Sequence, residues 1–199
     1  MRSLEPSGAK PNGLLHNLKK LDRWVCWASV DEDGHVRKKP AEIEAGSVRT
    51  VTYKDISNWY SYDEAVETAS SHDELEGVGV VISRERDDFV VVDIDNCIDP
   101  TTGRIDEEVW KYVRRAQTYA ELSYSKTGLH LIFRGSLPNQ GWTAEDDEID
   151  AEIYDKYFIV VTQDHIAGTS RHAINNGTWL DRIYEDMDIE WTTLFYGTD

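Results

Sequence analysis

Positive charge is scarce in this chain. Lys and Arg number 21 against 38 Asp and Glu, a formal charge of −17 over 199 residues. That balance opposes unassisted binding to nucleic acid or to an anionic membrane. Cysteine is almost absent. Cys26 and Cys97 stand far apart in apolar runs, with no Cys-x-x-Cys and no His pair nearby, which argues against a zinc site and reads as two reduced core residues. No apolar run reaches membrane-spanning length and Met1 opens no signal-peptide pattern, so no membrane partner is expected and the location expected is cytoplasmic. Internal repeats are also missing.

What is present suits one compact unit, or at most two small lobes, at this length and an apolar content of 40 %. The carboxylates are dispersed over loops and helix faces, around Asp31, Asp73 and Asp146, and form no tail. Such dispersion suits a protein kept soluble in concentrated salt, where screening is short-ranged. A halophilic cytoplasm is the expectation, with an ordinary acidic surface as the alternative.

Residues 1–13 carry Pro, Gly and Ser without periodicity and read as a flexible lead-in. The main domain is placed at 14–172 and a C-terminal packing segment, helical and containing Trp and Tyr, at 173–199. Residues 24–30 (WVCWASV) predict a strand, and DEDG turns it back into 35–40 as a hairpin. A short helix is expected over 63–69. Strands follow at 78–82 and 89–94, joined through the charged turn 84–88. The next helix, 106–116, is acidic at its start and basic at its end, matching the helix dipole. Strands at 118–122, 129–134, 149–154 and 157–161 complete the sheet. Adjacent β pairs with few helices predict an α+β fold, a mixed or antiparallel sheet with flanking helices.

The run FVVVDIDNCID, 89–99, ends a buried strand in two acids. Asp93 and Asp95 share a face, about 6.6–6.8 Å apart along the strand. Carboxylates that close repel and raise each other's pKa unless a cation lies between them. A divalent metal is the natural partner, although a strand end entering a turn would read the same. Phosphatases of the haloacid-dehalogenase type also use Asp-x-Asp, but early in the chain and with a Thr where this sequence has Cys97.

In SYSKTGLHLIF, 123–133, the residues Ser125, Lys126, Thr127 and Gly128 form a loop able to present hydroxyls, N–H groups and one cation to a phosphate. Alternation then sets Leu129, Leu131 and Phe133 on one face and His130 with Ile132 on the other; a structural His is the plain alternative. In EIDAEIYDKYFIVVTQDH, 148–165, the side chains of Asp150, Glu152 and Tyr154 share one side, and Asp155-Lys156 makes the turn into the next strand.

Together these stretches resemble the catalytic core of the archaeo-eukaryotic primase superfamily, in the primase-polymerase branch carried by phages and plasmids. VVVDID, SKTGLH and EIYDKYFIVVT match its three motifs in order, and the likeness in their flanks covers about residues 22–165. The resemblance implies a primase-polymerase core with an RRM-like half. It implies template-directed nucleotidyl transfer, the work of a DNA primase or DNA polymerase. Asp93, Asp95 and Glu152 would then hold two Mg²⁺ or Mn²⁺ ions, one lowering the pKa of the attacking 3′-hydroxyl and the other steadying the leaving pyrophosphate. Ser125, Lys126, Thr127, Gly128 and His130 would grip the triphosphate. Where relatives often carry an Arg before the third motif's YF, this chain has Lys156, which keeps the charge and loses the planar fork.

A single-stranded DNA template and nucleoside triphosphates are the partners so implied. Arg37, Lys38 and Lys39, with Trp24 and Trp27, are the template candidates in the first hairpin; the alternative is a solvated turn over a Trp-containing core. Many relatives continue into helicase domains, so a separate replicative helicase is a further expected partner. Two other readings stay open, a metal-dependent nuclease using the same acids and a replication-initiation or DNA-mimic module without catalysis.

Overall fold

The structure, a computed structural model, describes residues 13–137, 142–145, 150–177 and 192–193. A short helix, α1 (Leu14–Leu18), leads into β1 (Trp24–Glu32) and β2 (His35–Glu44). These strands form the expected hairpin, with Glu32 opposite His35. Asp33 and Gly34 have φ of 56° and 82°, the positive pair a two-residue hairpin turn needs, which is why a glycine stands second. β3 (Ser47–Thr50) continues the meander. Then come α2 (Tyr62–Ser70), β4 (Gly77–Ile82), β5 (Phe89–Asp95) and α3 (Glu107–Ala116). Both helices start on side-chain caps. Ser61 and Glu64 form a capping box on α2, and Asp106 accepts from the N–H groups of Glu108 and Val109 on α3. The chain goes on through β6 (Tyr119–Leu122), β7 (Leu129–Arg134), β8 (Trp142–Glu145), β9 (Asp150–Tyr154), β10 (Tyr157–Val160) and β11 (Thr192–Thr193).

The fold is α+β, and its strands divide into two antiparallel sheets, in orders β10-β4-β1-β2-β3 and β11-β8-β9-β5-β7-β6. This corrects the expectation of one sheet. Strands β4 and β5, and likewise β9 and β10, are sequence neighbours that do not pair; the chain crosses between sheets at 83–88 and again at 155–156. Charged side chains bridge these two crossings; after β10 the chain returns to the second sheet, where His165 forms a β-bridge with Glu121. Arg23 grips Asp87 with two hydrogen bonds of 2.8 and 2.6 Å, Ser83 N donates to the same carboxylate, and Arg84 Nε donates to Asp155 Oδ2 at 2.8 Å. The last pair ties one crossing to the other.

Helix α3 covers one face of the second sheet. Its Val109, Val113 and Ala116 pack with Val90, Val92 and Ile94 of β5 and with Leu129, Leu131 and Phe133 of β7. The opposite face meets the first sheet. There the two sides of β10, an edge strand, divide: Ile159 belongs to a core with Val91, Ile132 and Tyr154, while Phe158 and Val160 line a cavity. Phe158 and Val160 also pack with Val25, Trp27 and Val81 in a second apolar cluster, so both sides of β10 are largely buried and its Phe158–Val160 side borders the cavity.

Cys26 and Cys97 are buried and unpaired with each other, and burial pushes their thiols up to about 11 and about 12. Among the described residues, no helix is long and apolar enough to cross a membrane. The lead-in before residue 13 lies outside the described residues, as does most of the helix expected from residue 173.

Candidate functional site

Strand register assembles the site. β5 lies between β7 and β9, with Asp93 opposite both His130 and Glu152 and with Asp95 opposite Asp150. On the next strand out, Glu121 of β6 stands opposite His130. Four strands therefore carry one transverse row, Glu121, His130, Asp93 and Glu152, on the face that α3 leaves free. Side chains directly opposite have Cβ atoms about 4.5–5.5 Å apart. A cavity of about 90 Å³ opens over Asp93, His130 and Glu152 of this row, room for about three waters. Asp93, His130 and Glu152 line it from the second sheet, and Lys38 with Phe158 and Val160 from the first.

Asp93 holds the least satisfied group here. Its Oδ1 is buried and has no hydrogen-bond partner among the described residues, and its Oδ2 lies 3.6 Å from His130 Nε2. Burial pushes the Asp93 carboxyl above its ordinary range, against the pull of His130 and Lys38 and with the push of Asp95 and Glu121. Asp95 is raised by burial and by Asp150. For His130, burial disfavours the charged ring, but the Glu121 hydrogen bond and the charges of Asp93 and Glu121 outweigh it and raise the pKa. Burial thus opposes ionisation of the two acids, while the imidazole between acids favours its charged form.

These donors fit a hard divalent cation in type and in register, since oxygen ligands suit Mg²⁺ and Mn²⁺. Among the described residues no three His, Cys, Asp or Glu side chains yet converge as a metal-holding group.

The loop 123–128 abuts the end of β5. A Cβ on Gly128 would come 2.6 Å from Ile94 O and 3.2 Å from Asp95 Oδ1, so only glycine lets the loop lie that close to the acids. The Ser123, Ser125 and Thr127 hydroxyls form a chain at 3.0 and 2.9 Å, and Ser123 Oγ accepts from Gly128 N at 3.1 Å. Lys126, at φ 66°, is paired with Asp164. Next to the loop, Tyr124 is 44 % exposed and meets the Trp27 ring edge-on at 4.7 Å, with Lys38 Nζ 5.8 Å from its ring centre.

The structure thus brings Asp93, Glu152 and His130 together at the cavity, and places Asp95 two residues further along β5, outside the cavity lining and opposite Asp150, with Gly128 and its loop beside it. It separates the hairpin cations. Lys38 points into the cavity, whereas Arg37 and Lys39 reach Glu32 at 3.8 and 3.1 Å. Trp24 and Trp27, expected as stacking surfaces, are core residues at 1 % and 0 % exposure, because β1 is covered on both faces. Lys156 lies at the crossing after β9, two residues beyond Tyr154, near Glu85; it does not line the cavity. Asp155 is buried against Arg84 and likewise faces away from the acids. Sequence reasoning missed Glu121 and the inward turn of Lys38. The signals for them were an acid inside the otherwise apolar strand TYAEL and the alternation within HVRKKP.

No family model matches the chain. Over 140 residues, 69 % of the chain, it is 27 % identical to a DNA primase-polymerase of Nitratiruptor phage NrS-1, and it spans 18 % of that protein's length. The chain is therefore distantly similar to a phage protein of the kind its motifs resemble.

Proposed function

We propose that this chain carries the nucleotidyl-transfer centre of a DNA primase-polymerase, acting in the replication of a phage, plasmid or related element. Asp93, Asp95 and Glu152 are its metal ligands in this reading. The observation that carries it is Asp93, whose buried Oδ1 meets no described donor while His130 and Glu152 flank it across the strands. A buried acceptor left unsatisfied costs about 1–3 kcal/mol, a cost a bound cation would remove. When bound, two Mg²⁺ or Mn²⁺ ions would supply an acidified 3′-hydroxyl and charge neutralisation on the departing pyrophosphate.

The chain's own groups do the rest. His130 turns Nε2 towards the cavity, where its charged form donates to a phosphate oxygen. Lys38 adds a cation from the opposite sheet, and the loop 125–128 offers hydroxyls and N–H groups beside Asp95. Arg37 and Lys39, which pair with Glu32, are the template contacts of this reading, and a separate helicase supplies any unwinding.

The test is extension of a labelled primer on a single-stranded template, with and without the primer, in Mg²⁺ or Mn²⁺. Templated lengthening is the expected result. Shortening of the strand with metal and no nucleotides would assign the acids to a nuclease, and an unchanged strand under every metal and salt condition would contradict transfer altogether.

A further inference from the structure

Glu121 has no role in the reading above, yet it is 0 % exposed and saturated with donors. Its Oε1 accepts from Thr162 N at 3.0 Å and lies 3.2 Å from His130 Nδ1, while its Oε2 accepts from Tyr119 OH at 2.8 Å and Gln163 N at 3.0 Å. A carboxylate only accepts, so the hydrogen of this contact sits on Nδ1. Nε2 is then the ring atom turned to the cavity, 3.6 Å from Asp93 Oδ2. The backbone donors at 162 and 163 hold one oxygen each, so the carboxylate cannot swing away and take the ring with it. An anchor for segment 162–163 alone would need no imidazole in the set.

We propose that Glu121 is a positioning residue for nucleotide binding: it holds the His130 ring in the orientation that presents Nε2, and not Nδ1, to the triphosphate of an incoming nucleoside triphosphate. The proposal rests on the reading of His130 as a triphosphate contact. Carboxylates that fix a working imidazole through its far nitrogen are a recurrent device, and their loss costs about 10–100-fold where the ring binds a metal. Glu121 does the same here for an anion.

The test is a double-mutant cycle on the affinity of the full chain for dATP in Mn²⁺, measured by calorimetric titration. Glu121→Gln should weaken binding about tenfold or more. His130→Ala should also weaken it, and adding Glu121→Gln to His130→Ala should weaken it no further, because the acid acts through the ring. Tyr119→Phe removes a donor from the same carboxylate without touching His130; it should lower the melting temperature and leave the affinity unchanged. Independent, multiplying effects of the two substitutions would overturn the proposal, and so would wild-type affinity in Glu121→Gln or an equal loss in Tyr119→Phe. If His130→Ala alone binds dATP normally, the nucleotide reading of the site fails first and this proposal falls with it. A readout on the unaltered protein covers the case in which Glu121→Gln does not fold: the ¹⁵N–¹H spectrum of the His130 ring should show the proton on Nδ1, and a ring protonated on Nε2 alone would refute the arrangement.

Discussion

Asp93 and Glu152 face each other across β5 and β9, two residues away from the pair Asp95 and Asp150, and in the proposed reading that offset separates the acids of the third motif. Glu152 lines the cavity and Asp150 does not. Glu152→Gln should therefore lower turnover by orders of magnitude, because in the proposed reading it removes a ligand of the ions that neutralise the transition-state charge. Asp150→Asn and Asp155→Asn should change it little. Steady-state incorporation rates check this, and an inactive Asp150→Asn beside an active Glu152→Gln would move the site by one strand repeat. At Gly128, a methyl group would collide with Ile94 O at 2.6 Å, so Gly128→Ala should cost about 1–3 kcal/mol by overpacking and lift the loop from Asp95. The expected signs are a lower melting temperature together with a raised KM for nucleotide. Asp93, Asp95, His130 and Glu152 were legible in the sequence because each sits in a strand whose apolar neighbours declare its parity. Glu121 was not, since two of its donors lie 41 and 42 residues further along the chain. Trp24 and Trp27 misled for a related reason: a strand buried on both faces shows no alternation.

At the scale of elements, the strands and helices were largely readable and their partition was not. The expected helix at 106–116 appears as Glu107–Ala116 behind an Asp106 cap, and the hairpin at 24–40 closes where DEDG places it. The apolar runs at 78–82 and 89–94 do not alternate and suit one sheet or two equally, so local pattern says nothing of the crossing between them. The short strand Ser47–Thr50, exposed throughout, carried no apolar signal at all. What bridges the crossings at 83–88 and 155–156 is ion pairing over long separations, Arg23 with Asp87 and Arg84 with Asp155. Asp155 is 2 % exposed and Arg84 30 %, so the two partners are not equivalent. Removing the arginine strands a buried carboxylate, while neutralising the acid leaves a guanidinium that water can reach. Arg84→Ala should then destabilise by about 3 kcal/mol, near the low end for a broken buried pair, and Asp155→Asn by about 1 kcal/mol. Urea unfolding of both variants measures the difference, and the reverse order would show that the clip does not hold the crossings.

Over the whole molecule, a charge of −17 acts on the fold and, in the proposed function, on the nucleic acid it must approach. Self-repulsion and the repulsion of nucleic acid each weaken as the Debye length falls from about 10 Å at 0.1 M salt to about 3 Å at 1 M. Melting temperature and primer extension should rise together over that range of KCl, opposite to the loss of affinity expected where cations on the protein dominate the contact. Falling activity with rising KCl would contradict the salt-adapted reading. Inside this acidic envelope the cleft has its own pH response. Asp93 and Asp95 are raised above the ordinary value of 3.8, so the folded state binds more protons than the unfolded one above that pH. Metal-free stability should fall as pH rises through the raised values. Asp93→Asn removes one of these charges without changing shape, and in EDTA near neutral pH it should melt no lower than the parent, with a flatter pH profile. That variant gives the most direct test of the central claim: templated incorporation of a labelled nucleotide, measured side by side for the parent chain and a folded Asp93→Asn in Mg²⁺ or Mn²⁺. The account predicts extension by the parent and none by the variant; extension at the parental rate by Asp93→Asn would contradict it.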